Sequence, residues 1–220
     1  MKSTLEADAL TARRQAMVAV QLQGRGIADQ RLLDAMGRVP RHEFVAPQHH
    51  PDAYGDHPLP IAEGQTISQP YMVALTLEAL ELAPTDRVLE VGTGSGYEAA
   101  LLAELAAQVY TIERHPALFE RARDTLKRLG YANITGVLGD GSKGLAQFAP
   151  FNAIAVSAAA PRIPAALAEQ LAEGGRLAVP VGSVQLQELQ LVRKRGGQLV
   201  TTIVEMCRFV PLIGEQGFPG

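Results

Sequence analysis

Apolar and polar positions alternate along this chain with two different periods. From residue 87 onward, short apolar runs typical of buried strands alternate with segments whose apolar residues recur every three or four positions, as in amphipathic helices. The predicted strands are Val88–Val91, Val109–Ile112, Ile134–Leu138, Phe151–Val156 and Arg176–Val181. The predicted helices are Tyr97–Ala107, Pro116–Leu129 and Pro164–Leu171. This alternation predicts an α/β fold with a doubly wound, mostly parallel sheet.

The two ends of the chain depart from this alternation. Near the end, Gln187–Lys194 and Gln198–Phe209 are two apolar runs separated by a glycine turn, which predicts an antiparallel C-terminal hairpin. Near the start, helical periodicity runs to Leu22, and Asp29 is placed to cap a second helix, Gln30–Met36. We expect these N-terminal helices to cover part of the α/β unit, as a lid, a substrate wall or simple packing.

Composition limits the possible classes of function. A length of 220 residues with 47% hydrophobic residues predicts one domain with a sizeable core. The net charge of −3 offers no basic surface for nucleic acid or for acidic membranes. The single cysteine, Cys207, lies in an apolar run and excludes an intrachain disulfide or a cysteine-built metal site. With no apolar signal-peptide core and no membrane-length apolar stretch, we expect a soluble, cytoplasmic protein without a metal.

A glycine-rich turn follows the first predicted strand. Gly92, Gly94 and Gly96 stand between the strand Val88–Val91 and a helical pattern, which is the opening of an α/β nucleotide-binding unit. Tyr97 stands where a dinucleotide-binding motif has its third glycine, and the Gly-Lys-Ser/Thr of a P-loop is absent. The turn therefore favours a nucleoside ligand, although an ordinary tight turn of an α/β protein would have the same local pattern.

Two acidic residues follow the next two strands, at the edge of the sheet where ligands of such folds bind. Glu113 lies about twenty residues after the glycine turn, a spacing typical of an acid that accepts hydrogen bonds from ribose hydroxyls. Asp140 lies between Gly139 and Gly141, where it could accept from an adenine amino group while the glycines admit the base. Either acid alone could belong to a solvated loop, but the three loops together predict a nucleoside site.

A segment without clear periodicity, residues 46–70, precedes the α/β unit. Loops of this length inside a domain are usually functional or disordered. Ser68 is placed to cap the following helix, Tyr71–Leu82, and this role is compatible with contact to a ligand. His57 lies in the same segment and is a weaker candidate for contact with substrate.

The chain resembles the protein-L-isoaspartate O-methyltransferases, members of the class I S-adenosylmethionine-dependent methyltransferase superfamily with its Rossmann-like fold. The acid Glu90 before the glycines matches motif I of that superfamily. The other matching segments follow the family's order: Val39–Val45 with its Pro-Arg pair, Tyr54–Ile61, Gly64–Val73 with Thr-Ile-Ser-Gln-Pro, Gly139–Gly141, Ala158–Pro164, Gly174–Leu177, Pro180–Gly182, and Arg208–Leu212 with its terminal Phe-Val-Pro-Leu.

The resemblance implies a protein-repair enzyme that methylates the α-carboxylate of L-isoaspartyl residues in damaged proteins. The ester would then cyclise to a succinimide that can reopen to aspartate. Ser68 matches the family's essential serine, and Val210, Pro211 and Leu212 match a segment that holds the substrate backbone. S-adenosyl-L-methionine, with S-adenosyl-L-homocysteine as product, is expected to contact Thr66, Ile67, Gln69, Glu90, Gly92, Thr93, Gly94, Ser95, Gly96, Glu113, Gly139, Asp140 and Gly141.

The resemblance also predicts how the chain is divided. We expect one methyltransferase domain with a helical substrate region at 1–60, a cofactor-binding core at 61–182 and C-terminal strands at 183–220, acting as a monomer. An isoaspartyl α-carboxylate is already ionised at neutral pH, since reference pKa values lie near ~3.3–3.9. The enzyme therefore needs alignment and exclusion of water rather than a general base. Our hypothesis is that Ser68 orients the carboxylate by donating a hydrogen bond.

Three positions depart from the family's pattern. Asn152 replaces a frequent Asp, which would weaken a structural hydrogen bond. Ser142 replaces a frequent Trp, which would change packing around the adenine, and Ile213 replaces a Thr found in some members. Two alternatives stay open at this point: a methyltransferase for another small acceptor, and a binding module for S-adenosylmethionine without catalysis.

Overall fold

The computed structural model describes residues 2–220, with side chains from residue 8 onward. Its main sheet has seven strands in the order β5-β4-β3-β6-β7-β8-β9. They are β3 (Arg87–Val91), β4 (Gln108–Glu113), β5 (Ile134–Leu138), β6 (Phe151–Val156), β7 (Leu171–Gly182), β8 (Gln187–Arg195) and β9 (Gln198–Cys207). A small antiparallel pair, β1 (Leu59–Pro60) and β2 (Thr66–Ile67), lies apart from it.

The pairing directions agree with the predicted fold class. Strands β3 to β7 pair in parallel, whereas β7 with β8 and β8 with β9 are antiparallel. The predicted C-terminal hairpin is therefore confirmed, and it extends the sheet through a further antiparallel pairing at β7. The central strands are largely apolar because helices cover both faces of a parallel sheet: Val88, Leu89 and Val91 of β3 are fully buried, and the same strand also buries Glu90.

Six α-helices accompany the strands in the described residues. They are α1 (Lys2–Ala16), α2 (Gln30–Arg38), α3 (Pro70–Ala79), α4 (Tyr97–Leu105), α5 (Pro116–Arg128) and α6 (Ala165–Glu169). A π-helical segment, Met17–Leu22, continues α1. Short 3-10 segments occupy Gln23–Arg25, Arg41–Phe44, Pro47–Asp52, Ala62–Gly64, Gly141–Lys143 and Ala146–Phe148. Asp29 caps α2 as predicted, since its side chain accepts hydrogen bonds from the N–H groups of Arg31 and Leu32.

The predicted N-cap role of Ser68 is wrong. The residue at the N-cap of α3 is Gln69, whose side chain makes no capping hydrogen bond. Asp56, more than ten residues earlier, fills this role, because its Oδ1 accepts from the backbone N–H of Tyr71 at 3.2 Å. Its Oδ2 accepts from the side chains of Gln69 at 2.8 Å and Arg25 at 2.6 Å. A carboxylate near a helix N-terminus is electrostatically favourable. Because Asp56 accepts the hydrogen bond at this helix end, the Ser68 hydroxyl is not needed as a cap.

The sheet order places a ligand crevice between β3 and β6. From β3 the chain proceeds through β4 to β5 on one side, and β6 leads to β7 on the other. Ligands of doubly wound sheets bind at this reversal point, beyond the carboxyl ends of the strands. The two strand ends are tied together there, since Ser157 N–H donates to the carbonyl of Val91 at 2.9 Å.

The N-terminal helices pack against the α/β unit rather than standing apart. Met17, Leu22, Leu32 and Met36 belong to one buried cluster with side chains of α3 and α4. Within residues 2–220, no helix combines the length and apolar character needed to cross a bilayer. The same part of the chain brings no group of three or more His, Cys, Asp or Glu side chains into a metal-binding arrangement.

Candidate active site

The glycine turn after β3 requires glycine at all three positions. Gly92, Gly94 and Gly96 have φ values of 95°, 53° and 88°, in the left-handed region that side-chain-bearing residues rarely adopt. The turn is held against β4, since the N–H groups of Gly92 and Thr93 donate to the carbonyl of Ile112 at 2.9 and 3.3 Å. This backbone leaves an open space above the ends of β3 and β4.

Glu113 is fixed by three backbone N–H groups at the end of β4. Its Oε2 accepts from Gly94 at 2.9 Å, and its Oε1 accepts from Arg114 at 2.8 Å and His115 at 2.9 Å. A carboxylate has roughly four acceptor positions. About one position therefore stays available to a ligand hydroxyl, in an orientation that the protein has already set.

The first of two depressions, here called the cofactor cavity, lies above these residues and has an open volume of about 890 Å³. The predicted site residues that line it are Thr66, Ile67, Ser68, Glu90, Gly92, Thr93, Gly94, Ser95, Glu113, Gly141, Val210, Pro211 and Leu212. The residues predicted to contact a ligand but found outside its lining are His57, Gln69, Gly96, Gly139 and Asp140.

One part of this lining is apolar and suits a flat base. It includes Ile112, Gly141, Leu212 and Ile213. Gly141 is required by close packing, since a Cβ there would lie 2.6 Å from Val91 Cγ1 and 3.3 Å from Ile112 Cγ2. Ile213, one of the three departures from the family's pattern, adds a further apolar surface here.

Asp140 faces the C-terminal loop rather than the cavity. Its Oδ1 accepts hydrogen bonds from the N–H of Ser142 at 2.9 Å and its hydroxyl at 2.7 Å, and Oδ2 accepts from the N–H of Glu215 at 2.9 Å. Burial alone would raise the pKa of Asp140, but the hydrogen bonds from Glu215 and Ser142 outweigh it and hold the pKa below its usual value. Asp140 therefore positions the loop that closes the cavity.

The other two departures form ordinary contacts. Ser142 is fully buried, and its Oγ also accepts from the N–H of Gln216 at 3.0 Å. Asn152 Oδ1 accepts from the N–H of Arg87 at 2.9 Å, so this departure retains a structural hydrogen bond at the start of β3. Neither residue lines the cofactor cavity.

Another part of the cavity lining is acidic. Glu90 is fully buried and Glu98 is 8% exposed, and Oε1 of each has no hydrogen-bond partner among the described residues. The Thr111 hydroxyl donates to Oε2 of Glu90. Burial raises the pKa of Glu90 well above its usual value, and the neighbouring Glu98 raises it further. Burial likewise raises the pKa of Glu98 to about 7, against the effect of the Ser157 hydroxyl.

Ser68 lies in a loop that a buried arginine holds in place. Arg41 is fully buried, and its guanidinium donates to the carbonyl of Ser68 from Nη2 at 2.8 Å and to that of Ala53 from Nε at 2.8 Å. It also lies over the ring of Tyr97, 4.9 Å from the ring centre. The Ser68 hydroxyl makes no hydrogen bond within the part of the chain that the structure describes, so it is available to a ligand.

A second depression, here called the acceptor groove, adjoins the cofactor cavity. Its open volume, which includes solvent at its mouth, is about 1660 Å³. One wall is apolar, formed in part by Val184, Leu186 and Met206, which are 50%, 56% and 49% exposed. Arg208 is its one charged lining residue among residues 2–220. The residues that line both depressions are Thr66, Ser68, Ser157, Val210 and Pro211.

The segment Val210–Leu212 is held beside these residues by backbone pairing. The N–H of Ala159 donates to the carbonyl of Val210 at 2.8 Å, and the N–H of Leu212 donates to the carbonyl of Ala159 at 2.7 Å. His57 is exposed and lines neither depression, whereas Gln69 lines the groove. The structure therefore brings Ser68 and the terminal segment together but leaves His57 apart.

Sequence reasoning missed three residues of this site. Ser157 directly follows β6 at the crevice, a position that the predicted strand order could have identified. Glu98 was hidden in the helical pattern of α4, where an acid normally faces solvent. Arg41 belongs to a segment that was quoted for the family resemblance, but its burial could not be seen from local periodicity.

Comparisons with known proteins agree with this arrangement. The family model described as protein-L-isoaspartate(D-aspartate) O-methyltransferase matches residues 12–217. A protein-L-isoaspartate O-methyltransferase from Koribacter versatilis is 60% identical over 205 residues, covering 93% of this chain and 92% of the relative. One from Methanoculleus marisnigri is 51% identical over 216 residues, covering 98% of each chain.

Solved structures with the same name have the same fold. One protein-L-isoaspartate O-methyltransferase superposes with a TM-score of 0.83 at 31% identity, covering 93% of this chain and 67% of that chain. A structure from Plasmodium falciparum, described as a beta-aspartate methyltransferase in complex with S-adenosyl-L-homocysteine, has a TM-score of 0.80 at 27% identity and covers 91% of this chain and 98% of that one.

Proposed function

Because this chain belongs to the protein-L-isoaspartate(D-aspartate) O-methyltransferase family, we propose that it repairs damaged proteins by methylating the α-carboxylate of L-isoaspartyl residues. The methyl ester then cyclises to a succinimide, which reopens in part to normal aspartate. The observation that carries this proposal is the junction of the cofactor cavity and the acceptor groove, where Ser68 lines both. A methyl donor and a polymeric acceptor can meet only where two such spaces join.

The residues of the cofactor cavity fit S-adenosyl-L-methionine. An apolar surface, the fixed acid Glu113 and the unpaired oxygens of Glu90 and Glu98 match a base, a ribose and a cationic amino-acid part, respectively. When bound, this cofactor supplies a methyl group activated by its sulfonium. We propose that Glu113 binds the ribose, and that Gly141 and Ile112 contact the adenine. The remainder of the cofactor is enclosed by Thr66, Ile67 and the turn Gly92–Gly96.

Asp140 and Gly139 are proposed to affect binding of the adenine base indirectly. Both oxygens of Asp140 already accept hydrogen bonds from Ser142 and the C-terminal loop, and the acid does not line the cavity. We therefore propose that Asp140 acts on the adenine by fixing the backbone of Gly139 and Gly141, and by holding Ile213 in place through the loop that follows it.

Ser68 is proposed to orient the acceptor. Its hydroxyl is uncommitted and stands where both spaces meet, so it can donate a hydrogen bond to one carboxylate oxygen and direct the other toward the methyl group. The attacking carboxylate is already ionised near neutral pH, so no side chain has to remove a proton. Alignment and a dry site supply the acceleration, because charge is neutralised as the bond forms.

The acceptor groove is proposed to hold an extended peptide. Val210–Leu212, which is paired with Ala159 on one side, offers its backbone to the substrate, and Gln69 lines the same groove. Arg208 attracts the anionic acceptor through its positive charge. A net charge of −3 gives no general attraction for nucleic acid, which agrees with a protein acceptor. His57 remains a weaker candidate for substrate contact at the rim.

We also propose that the enzyme acts as a monomer in the cytoplasm. The residues that line the two depressions fall within one chain, between Pro58 and Ile213, as a monomeric enzyme would require. Light scattering coupled to gel filtration measures the mass directly, and a stable dimer would contradict this part of the proposal.

The deciding experiment compares two peptides that differ only in carrying L-isoaspartate or L-aspartate at one position. With labelled S-adenosyl-L-methionine, we expect methyl transfer to the isoaspartyl peptide alone. Equal transfer to both, or transfer to neither, would overturn the proposal. If S-adenosyl-L-homocysteine still bound in the latter case, the chain would be a methyltransferase for another acceptor or a non-catalytic binding module.

A further inference from the structure

Two buried carboxyl groups of the cofactor cavity have no ion-pair partner among the described residues. Glu90 and Glu98 both line it, and both side chains are more than nine-tenths buried. One oxygen of each carboxylate, as well as the hydroxyl of Ser157 beside Glu98, has no hydrogen-bond partner among the described residues. A buried carboxylate is costly unless it is paired or protonated. The two unpaired carboxylate oxygens therefore mark a place suited to a ligand group that donates hydrogen bonds.

The third acid of the cavity does not share this property. Glu113 accepts three backbone hydrogen bonds and is fully oriented by the protein. The carboxylates that would be stabilised by a bound cation are therefore Glu90 and Glu98. Glu98 also lies in the first turn of the nine-residue helix α4, where the helix dipole favours a negatively charged side chain.

The two carboxylates influence each other's protonation. Burial raises the pKa of Glu98 to about 7 and that of Glu90 well above its usual range, where the charge of Glu98 raises it further. Such a pair titrates as a unit rather than as two independent acids. Without a cation in the cavity, the pair retains a proton near neutral pH, and a cation placed between them would favour its loss.

We propose that Glu98 and Ser157 bind the α-ammonium group of the cofactor's methionine-derived part, and that the Glu90–Glu98 pair releases a proton to solvent on binding. This inference rests on the proposed function, because it takes S-adenosyl-L-methionine as the ligand. It assigns a second carboxylate to the amino-acid part of the cofactor, beside the acid that precedes the glycine turn.

The groups that face this pair come from every neighbouring element. Thr111 of β4 donates to Glu90, Ser157 after β6 lies beside Glu98, and Glu113 contributes its charge to Glu90. His115 also lines the cavity and lies 3.8 Å from Glu63, through Nδ1 and Oε2. A His115→Gln variant therefore removes the imidazole from the cavity and leaves the carboxylate pair in place.

The test measures binding by calorimetry rather than turnover, with two ligands. S-adenosyl-L-homocysteine carries the α-ammonium group, whereas 5′-methylthioadenosine lacks the whole amino-acid part. For Glu98→Gln we expect the Kd of the first to rise about 10- to 100-fold, as for a lost charged hydrogen bond, and that of the second to change less than about twofold. Glu104→Gln is the matched control, because Glu104 is on the same helix but pairs with Arg38 at the surface.

Proton release gives an independent readout on the unaltered protein. Phosphate and Tris differ in ionisation enthalpy, so a binding step that releases protons has a different apparent enthalpy in each buffer. At pH 7 we expect such a difference, with the sign of proton release, for S-adenosyl-L-homocysteine. We expect no difference for 5′-methylthioadenosine. We also expect the Kd of the first ligand to fall from pH 6 to pH 8, and His115→Gln to retain this trend.

The outcomes separate this inference from the proposed function. Equal weakening of both ligands by Glu98→Gln, or no proton release in the unaltered protein, would overturn the role of Glu98 while leaving the methyltransferase intact. Failure of the unaltered protein to bind S-adenosyl-L-homocysteine at all would instead overturn the proposed function. If Glu98→Gln does not fold, proton release and its dependence on the ligand's ammonium group still decide the matter.

Discussion

Arg41 Nη2 donates a 2.8 Å hydrogen bond to the main-chain carbonyl of Ser68, so a buried guanidinium sets the position of the proposed catalytic loop. A second hydrogen bond from the same side chain, to Ala53, fixes the preceding segment. Burial lowers the pKa of Arg41 to about 10, which still leaves it charged at neutral pH. The positive charge is therefore retained inside the protein to hold two loops together.

Replacing this arginine should destabilise the protein and impair catalysis together. Arg41→Met leaves two buried carbonyl groups without donors, and we expect the free energy of unfolding to fall by about 2–4 kcal/mol. Urea denaturation measures this change. Arg13→Met is the control, since Arg13 makes an exposed hydrogen bond to the carbonyl of Pro51. Equal stability of the two variants would contradict the structural role of Arg41.

Removing the Ser68 hydroxyl should impair methyl transfer without affecting the cofactor. A hydrogen bond to a charged group is worth about 1.5–3 kcal/mol, so Ser68→Ala should lower kcat/KM for an isoaspartyl peptide by about 10- to 100-fold. The Kd of S-adenosyl-L-homocysteine should stay within about twofold, because the cavity keeps its other contacts. Ser68→Thr retains a hydroxyl and should recover part of the activity. Full activity in Ser68→Ala would exclude the orienting role.

Stability without the cofactor should depend on pH through Glu98. Its pKa is 4.5 in the unfolded reference and about 7 in the folded protein, so the folded state binds more protons between these values. Stability from this group is complete below pH 4.5 and is lost as the pH rises through about 7.

Glu98→Gln should therefore increase the Tm of the cofactor-free protein at pH 8 and flatten its pH dependence between pH 5 and pH 8. Thermal unfolding of the variant and of Glu104→Gln, at both pH values, checks this expectation. A lower Tm for Glu98→Gln at pH 8 would show that the buried carboxylate stabilises the fold through a contact that outweighs its desolvation.

Neutralising Arg208 should weaken binding of the acceptor rather than the chemical step. Arg208 is exposed, so its attraction for a carboxylate is partly screened by solvent and salt. We expect Arg208→Gln to raise the KM for an isoaspartyl peptide by about 3- to 10-fold at low salt, with little change in kcat. Arg195→Gln, at the exposed end of β8 next to the hairpin turn, serves as the matched control. A loss confined to kcat would show that Arg208 acts on the reaction itself.

Two of the contacts that attach the C-terminal loop differ in burial. Ser142 is buried and links Asp140 to the N–H of Gln216, whereas the ion pair of Lys143 with Glu215 is exposed to solvent. Ser142→Ala should lower the free energy of unfolding by about 1–2 kcal/mol and weaken cofactor binding, because a buried amide loses its acceptor. Lys143→Gln should have little effect on either. The reverse order in urea denaturation would contradict this assignment.

Much of the α/β unit could be predicted because its signals are local. The apolar run of β3, the glycine turn and the acid at Glu113 occur within one short stretch of chain, and their positions agree with the structure. The predicted strand Arg176–Val181 was too short: β7 begins at Leu171, because the Gly174-Gly175 pair lies within the strand. Glycine is usually a strand breaker, and here the pairing with β6 is interrupted after Leu171 and resumes at Arg176, which the local sequence pattern does not reveal.

The rest of the site depends on contacts between distant segments. Asp56 replaces Ser68 as the partner of the α3 N-terminus, and no local pattern identifies a cap that comes from another loop. Ser142 and Asp140 are satisfied by residues more than seventy positions later. The burial of Glu98 and the acceptor groove arise in the same way, from the packing of elements that sequence periodicity treats separately.

The tie between Asp140 and the C-terminal loop also has a consequence for synthesis. Thr66–Ser68 is made early, but the opposite walls of both depressions come from residues 210–213, which the ribosome adds after the entire sheet. A nascent chain that has completed β9 therefore lacks a closed cavity. The wall formed by residues 210–213 can be positioned only after residues 214–216 reach Asp140 and Ser142, so this part of the site is completed late in folding.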